Sequence, residues 1–263
     1  MYKPMNYEEI IVEASDGVAV ITINRPEHAN KLTFTTAKEL YDALRAVRED
    51  PTLDVAILTG AGDKFFCIGG EHEELERLDY SNVMPVVDLY EMIDTMPKPV
   101  IAAVNGFAVG GGNVLQVVCD LSVAVPGAIF RQVGPMVGSF DAGYGTWYLE
   151  ELIGRRRAKE FWYLNRKYTA QQALDFGLIN EVCEEGVSAL DRAKEIAAEI
   201  RRRGPFAIAS LKTAFSGRHT GVVGQARLAH DLLLTAYRGG QESKEISASF
   251  DERRDPDRDK FYR

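Results

Sequence analysis

The chain has 263 residues, 46% of them hydrophobic, with three cysteines and a formal net charge of −8. That is enough apolar chain for one substantial core, as one large domain or a domain with an appendage. The acidic balance weighs against a phosphate-backbone binder, the widely spaced Cys67, Cys119 and Cys183 form neither a metal pattern nor a disulfide framework, and no apolar run approaches the ~20 residues of a membrane span.

In chain order, residues 10–14 and 18–23 predict two strands around the turn Ser15-Asp16-Gly17. Residues 24–31 are a loop. Thr35 or Thr36 is placed to cap the next helix, whose apolar face carries Leu40, Ala43, Leu44 and Val47. Residues 54–60 predict a strand, and 65–67 lead into the glycine turn Ile68-Gly69-Gly70-Glu71. Residues 71–78 are polar and predicted helical, as are 86–96, stopped by Pro97-Lys98-Pro99. Residues 100–104 are wholly apolar, which predicts a strand buried on both faces. Residues 104–109 continue as buried strand into Gly110-Gly111-Gly112, and an apolar helix follows to Asp120.

Strands are predicted at 121–125 and 128–132. A glycine-rich loop then runs from Gly134 to Gly145, ahead of a helix over 146–153. Residues 170–177 predict a helix closed by Gly177, and 179–182 a short strand. From Ser188 onward the pattern is almost all helix, ending in the highly charged stretch 250–261. Alternating strands and helices point to α/β architecture.

The glycine stretches carry the chemistry. Three glycines in a row let the backbone reach φ > 0 and let a ligand approach the main chain. The helix behind them leaves unpaired N–H groups at its start. An amide aimed outward there can hold a developing oxyanion. A bare glycine run is equally a tight turn without a ligand. The second glycine turn at 68–71 has the same strand-then-helix setting and supplies a second amide.

Asp141 on its own is either an acid/base group or a turn or cap residue ahead of Thr146. Tyr144 is read as packing and Cys67 as a small buried filler. The four histidines are scattered and suggest no metal site. The run Arg201-Arg202-Arg203 is a solvated helix end.

Several segments together resemble the crotonase (enoyl-CoA hydratase/isomerase) superfamily. They are Asn24-Arg25-Pro26, the stretch from Phe66 to Gly70, the stretch from Pro97 to Gly106, Gly110-Gly111-Gly112, and the stretch from Ala173 to Asn180. The resemblance implies a ClpP-like spiral of ββα turns. Residues 1–200 would form this core with the CoA and acyl site, and residues 201–263 a helical region for oligomer contacts. It implies a homotrimer or a dimer of trimers, hence a hexamer. The substrate would be a coenzyme A thioester, with no tightly bound cofactor, metal, nucleic acid or membrane partner. Location is expected to be cytoplasmic, in keeping with an N-terminal stretch that lacks the order of a signal peptide. The family's two oxyanion amides match Ile68 and Gly111. Its CoA contacts match His28, Ala29, Lys31, Cys67, Gly69 and Gly70, with Lys260 and Phe261 reaching the nucleotide of a neighbouring subunit.

Ordinary hydratases of this family carry two catalytic glutamates, whose positions here hold Val114 and Gly134. Neither can accept a proton, and water addition across an enoyl bond needs a positioned acid/base. The loop from Gln132 to Gly145, with the stretches 112–115 and 162–168, resembles instead 2-ketocyclohexanecarboxyl-CoA hydrolase and dihydroxynaphthoyl-CoA synthase. The hydrolase is favoured, because residues 71–80 lack the synthase's substrate-contacting pattern. The implied reaction is hydrolytic ring opening of a cyclic β-keto acyl-CoA through a thioester enolate, with Asp141 and Ser139 handling water. Claisen-type ring closure, enoyl-CoA hydration or isomerisation, and a non-catalytic scaffold are the alternatives. In an ungapped alignment the family's C-terminal tyrosine falls on Thr235, with Tyr237 two residues on. The equivalent glycine of some synthases leaves a pocket, which at Gly134, lined by Gln132 and Trp162, would be either a site for bicarbonate or another small anion or an empty apolar space.

Overall fold

The computed structural model describes residues 6–71, 74, 84–141, 143–217 and 240–260. The chain divides into two compact units, Met1–Arg203 and Gly204–Arg263.

In the first unit the strands alternate between two sheets. β1 (Ile10–Ser15) and β2 (Val18–Ile23) form an antiparallel hairpin. Three times the chain then lays one strand in each sheet in quick succession. These pairs are β3 (Val55–Gly60) with β4 (Phe65–Cys67), β5 (Val100–Val104) with β6 (Phe107–Val109), and β7 (Leu121–Ala124) with β8 (Ile129–Arg131). β9 (Tyr168–Thr169) and β10 (Glu181–Val182) complete the order β1-β2-β3-β5-β7-β10 in one sheet and β4-β6-β8-β9 in the other. The helices between strands are α1 (Phe34–Glu49), α2 (Pro85–Thr95), α3 (Gly111–Val117), α4 (Gly145–Ile153), α5 (Arg155–Leu164), α6 (Ala170–Phe176) and α7 (Ala189–Ile200). This is the α/β spiral of ββα turns expected from the resemblance.

Every residue of β3 and β5 is buried, so successive side chains serve opposite faces of the sheet. Ile57, Ile101, Ala103 and Val123 pack with Ala189, Ala193 and Ala197 of α7. Ala56, Leu58, Ala102 and Ala124 join the larger core on the other face, with Leu40, Ala43, Leu44 and Val47 of α1. Each large aliphatic side chain so buried contributes about 1.5–3 kcal/mol.

Two local expectations are corrected. The cap of α1 is Thr33, not Thr35 or Thr36. Thr33 Oγ1 accepts from Thr36 N at 2.9 Å and Thr36 Oγ1 accepts from Thr33 N at 3.1 Å. Threonine here plays both halves of a capping box. Residues 104–109 are not one strand. The chain turns out of one sheet and into the other at Asn105 and Gly106, because Asn105 Nδ2 donates to Gly60 O and Gly62 O, each at 2.8 Å. A Cβ on Gly106 would lie 2.1 Å from Lys64 O, so only glycine lets the two crossings nest.

The second unit contains a helical stretch over 205–217, then α8 (Gln241–Asp251) and a 3-10 turn at Arg258–Lys260. Among the described residues no helix is long and apolar enough to cross a membrane. None of them form a group of three or more His, Cys, Asp or Glu able to hold a metal.

Gly112 sets a stability test. A Cβ there would meet Cys67 O at 1.9 Å, a backbone atom that cannot rotate away. Gly112→Ala is expected to cost about 3 kcal/mol and to lower the Tm by roughly 6–12 °C in a thermal melt. A Tm within 2 °C or so of wild type would contradict this packing.

Candidate active site

β4 and β6 run parallel with Cys67 opposite Ala108. The chain therefore leaves both strands at the same level, and the two glycine turns come side by side. A Cβ on Gly69 would stand 2.9 Å from Gly111 N, and one on Gly111 would stand 3.4 Å from Gly69 Cα and 3.7 Å from Gly70 N. Gly69 and Gly110 have φ of 94° and 55°, values that side-chain-bearing residues rarely adopt.

The amide that faces Gly111 is that of Gly70 and not that of Ile68. Gly70 pairs with Leu32 in an isolated parallel bridge. In that bridge Leu32 N donates to Gly69 O at 2.8 Å and Glu71 N donates to Leu32 O at 2.9 Å. In extended chain successive N–H groups alternate sides. The Gly70 N–H consequently points away from Leu32, toward Gly111. Ile68 instead presents its carbonyl, 3.9 Å from the Cβ position of Gly110. Gly111 N is the first amide of α3 and has no intrahelical acceptor.

A Cβ on Gly145 would meet Val114 Cγ2 at 2.7 Å, Asp141 Oδ1 at 2.9 Å and Trp162 Cζ2 at 3.1 Å, so these three side chains converge. Asp141 caps α4. Its Oδ1 accepts from Gly143 N at 3.1 Å and Gly145 N at 2.9 Å, and its Oδ2 from Thr146 N at 2.6 Å. A carboxylate offers about four lone-pair sites. One on Oδ2 remains for a water.

Ser139 is exposed, on a turn closed by its own N–H to Gly134 O at 2.8 Å, so the structure does not gather it with Asp141. Gly134 does not open a pocket. A Cβ there would lie 2.9 Å from Phe140 Cα and 3.0 Å from Phe140 O, because the loop folds back onto that position. The companions Gln132 and Trp162 are 1% and 8% exposed, yet Gln132 Nε2 and Oε1 and Trp162 Nε1 have no hydrogen-bond partner among the described residues. Buried polar groups normally find a partner or a water. These donors fit a small anion, while the filled space at Gly134 does not supply its room.

The loop before α1 meets the first glycine turn through the bridge at Leu32. His28 ends the 3-10 turn Pro26–His28, and Ala29 follows in the left-handed conformation with φ 53°. Lys31 Nζ is engaged by Glu71 Oε1 at 2.9 Å. The same ammonium holds the Glu71 carboxyl below its ordinary range, aided by Arg25. Cys67 is fully buried, and burial pushes its thiol up to about 12, in keeping with a filler role. Tyr144 packs between Tyr90 and Tyr148, with ring centroids 6.0 and 6.1 Å away. Tyr90 was not singled out from the sequence. Its hydroxyl donates to Gly111 O at 2.9 Å. Only its place on the apolar face of α2, beside Leu89 and Ile93, pointed inward.

Tyr237 and Phe261 lie outside the described residues. Lys260 Nζ is held by Glu245 Oε2 at 2.9 Å, and Glu245 also takes Arg254 Nη1 at 2.5 Å and Asp257 N at 2.9 Å. Meeting a nucleotide would require Lys260 to leave that partner.

The comparisons with known proteins agree with this architecture. The family model described as enoyl-CoA hydratase/isomerase matches residues 13–260. The crystal structure of an enoyl-CoA hydratase from Bacillus anthracis is 33% identical, with 95% of this chain and 98% of that one covered and a TM-score of 0.75. An enoyl-CoA hydratase from Mycobacterium tuberculosis H37Rv is 31% identical over 95% and 98%, with a TM-score of 0.74. DspI of Pseudomonas aeruginosa is 27% identical over 96% and 98%, with a TM-score of 0.78. Paired glycine turns on a ββα spiral thus define a crotonase-fold acyl-CoA enzyme. The chain belongs to the enoyl-CoA hydratase/isomerase family.

Arg254, then the Asp257 amide, then Lys260 hold the Glu245 carboxyl down to about 2. Its folded value lies below the ordinary 4.5, so the stability it brings is complete above about pH 4.5 and is lost as pH falls toward 2. The Tm advantage of wild type over Glu245→Gln should shrink across that window in melts at stepped pH. A constant offset from pH 6 to 2 would refute the assignment.

Proposed function

We propose that the protein opens a cyclic β-keto acyl-CoA by hydrolytic C–C cleavage. What supports the reading is the acid/base inventory around Gly145. The hydratase glutamate positions hold Val114, 3% exposed, and Gly134, and the carboxylate that meets this cluster is Asp141.

In the proposed mechanism the thioester oxygen lies between Gly70 N–H and Gly111 N–H. Asp141 Oδ2 accepts a proton from a water, and that water's oxygen attacks the ring ketone. The bond between the ketone carbon and the α-carbon breaks. Its electron pair passes to the thioester as an enolate, whose negative oxygen the two amides stabilise. The proton held by Asp141 passes to the α-carbon and the new carboxylic acid ionises to solvent, which leaves an open-chain acyl-CoA ending in a carboxylate. Losing one such amide costs about 3 kcal/mol of barrier.

Coenzyme A would bind along the loop of His28, Ala29 and Lys31 and the backbone from Cys67 to Gly70. The bridge at Leu32 holds these segments together. Gln132 and Trp162 would hold a water, which their orphaned polar atoms favour. The names of the structural relatives favour hydration of an enoyl-CoA as the second reading.

One experiment separates the two. A panel of cyclic β-keto and enoyl-CoA thioesters is followed by mass spectrometry, with and without added bicarbonate, for wild type and Asp141→Asn. Asparagine keeps an oxygen to cap α4 but is a poor base, so the fold should hold while ring opening falls about 10²–10⁴-fold. Wild-type hydration of enoyl thioesters with the β-keto rings left intact would overturn the proposal.

We also propose a homotrimer or a dimer of trimers, built on residues 204–263. Phe206, Leu211, Phe215 and Phe250 are 44%, 55%, 68% and 82% exposed there, more apolar surface than a free unit of this size tolerates well. Sedimentation of a monomer at micromolar concentration would exclude it.

A further inference from the structure

Gly110, Gly111 and Gly112 have no side chains with which to hold their own peptides, and glycine has the most backbone freedom to lose. Their direction depends on what grips the main chain from outside. Gly110 N donates to Arg131 O at 2.9 Å, which fixes the approach to the turn. Gly110 O, on the peptide that carries Gly111 N–H, accepts from Val114 N at 3.0 Å, and the next carbonyl, that of Gly111, is gripped by a side chain. Tyr90, 1% exposed on α2, donates its hydroxyl proton to Gly111 O at 2.9 Å. That hydroxyl oxygen lies 3.4 Å from the Cβ position of Gly111.

The ring that carries this hydroxyl is itself braced. Tyr90 meets Tyr144 edge-on at 64°, and Tyr144 stacks on Tyr148. The Tyr148 hydroxyl donates to Asp94, which is 8% exposed and one turn along α2 from Tyr90. Tyr90 with Asp94 and Tyr144 with Tyr148 are two spacings of four residues, so the contacts join one face of α2 to one face of the α4 start.

We infer that Tyr90 is a positioning residue of the oxyanion site, whose hydroxyl fixes the carbonyl of Gly111 while Val114 N fixes that of Gly110, so that the residue is pinned on both sides and its N–H stays aimed at the point it shares with Gly70 N–H. The inference rests on the oxyanion reading given above, but not on ring opening as the reaction. A preorganised donor needs no reorganisation as charge develops. The hydroxyl touches the glycine carbonyl and not the acyl group. Its loss should therefore lower kcat and leave KM nearly unchanged.

Burial first, then Cys67 and Asp141, hold the Tyr90 hydroxyl protonated well above the ordinary phenol range. It remains a donor throughout neutral pH, so the deficit in a variant should be flat from pH 6 to 9.

The test uses acetoacetyl-CoA, whose enolate absorbs in the near ultraviolet, so that oxyanion stabilisation is read without turnover. Wild type should lower the pKa of the bound β-keto thioester relative to free solution. Tyr90→Phe should raise that bound pKa by about half a unit to one unit and lower kcat about three- to tenfold, the size of one neutral hydrogen bond. Ser188→Ala, which loses the side-chain cap of α7, should lower the Tm and leave the enolate pKa unchanged. An unshifted pKa in Tyr90→Phe, or equal shifts in both variants, overturns the inference. Should Tyr90→Phe not fold, 3-fluorotyrosine placed at position 90 supplies a stronger donor and must lower the pKa; an unchanged value there is equally fatal. A panel in which no ring opens, beside a Tyr90→Phe shift, removes the hydrolase proposal and leaves this one. Normal ring opening with no shift does the reverse.

Discussion

The site depends on one contact, the seating of Gly112 against the carbonyl of Cys67. Parallel pairing of β4 with β6 puts Cys67 opposite Ala108, and the following turns have to pass within van der Waals distance. No Cβ fits at Gly112, whose Cβ position is 1.9 Å from Cys67 O, and none fits at Gly69 beside Gly111 N. The two backbones can close only because both positions are glycine. That closure brings Gly70 N to 3.7 Å from the Cβ position of Gly111. The spiral supplies the parallel pair, the crossings at Asn105 and Gly106 supply the level, and the glycines supply the clearance.

Much of this was legible in the chain because burial leaves a mark on composition. β3 and β5 are apolar throughout since both of their faces are covered, and an uninterrupted apolar run is visible without coordinates. The glycine turns were legible for a similar reason, since few other causes put three glycines between a strand and a helix. Direction was not legible. Ile68 and Gly70 sit in one short motif, and the side to which each amide points is decided by the bridge to Leu32, a residue 38 positions before Gly70. Gly134 misled in the same way. The residue type permits a pocket, but Phe140 folds back and fills it, and no local pattern announces that return. α5 was missed because it opens on Arg155-Arg156-Arg157, with its buried Ala158, Phe161 and Trp162 crowded toward the far end. Tyr90 was hidden for a different reason. An inward tyrosine on an amphipathic helix is indistinguishable, by spacing, from one more core aromatic.

The charged groups near the site are mostly committed to one another. Lys31 and Glu71 form a pair, and Asp141 spends three lone-pair sites on backbone amides. Such commitments trade reactivity for placement. A carboxylate gripped by three amides cannot swing, so any water it takes must come to the remaining site on Oδ2. The apolar neighbours Val114 and Trp162 complete the arrangement by keeping other water away from the same spot.

A site of this kind has little freedom to adapt, and that bears on what it can select. Two backbone amides recognise any thioester oxygen, whatever the acyl group attached to it. Discrimination must then come from the side chains around them, and the Val114, Gly145 and Trp162 contact is close-packed. A rigid apolar wall separates substrates by shape, at about 1–3 kcal/mol for a methylene that does or does not fit.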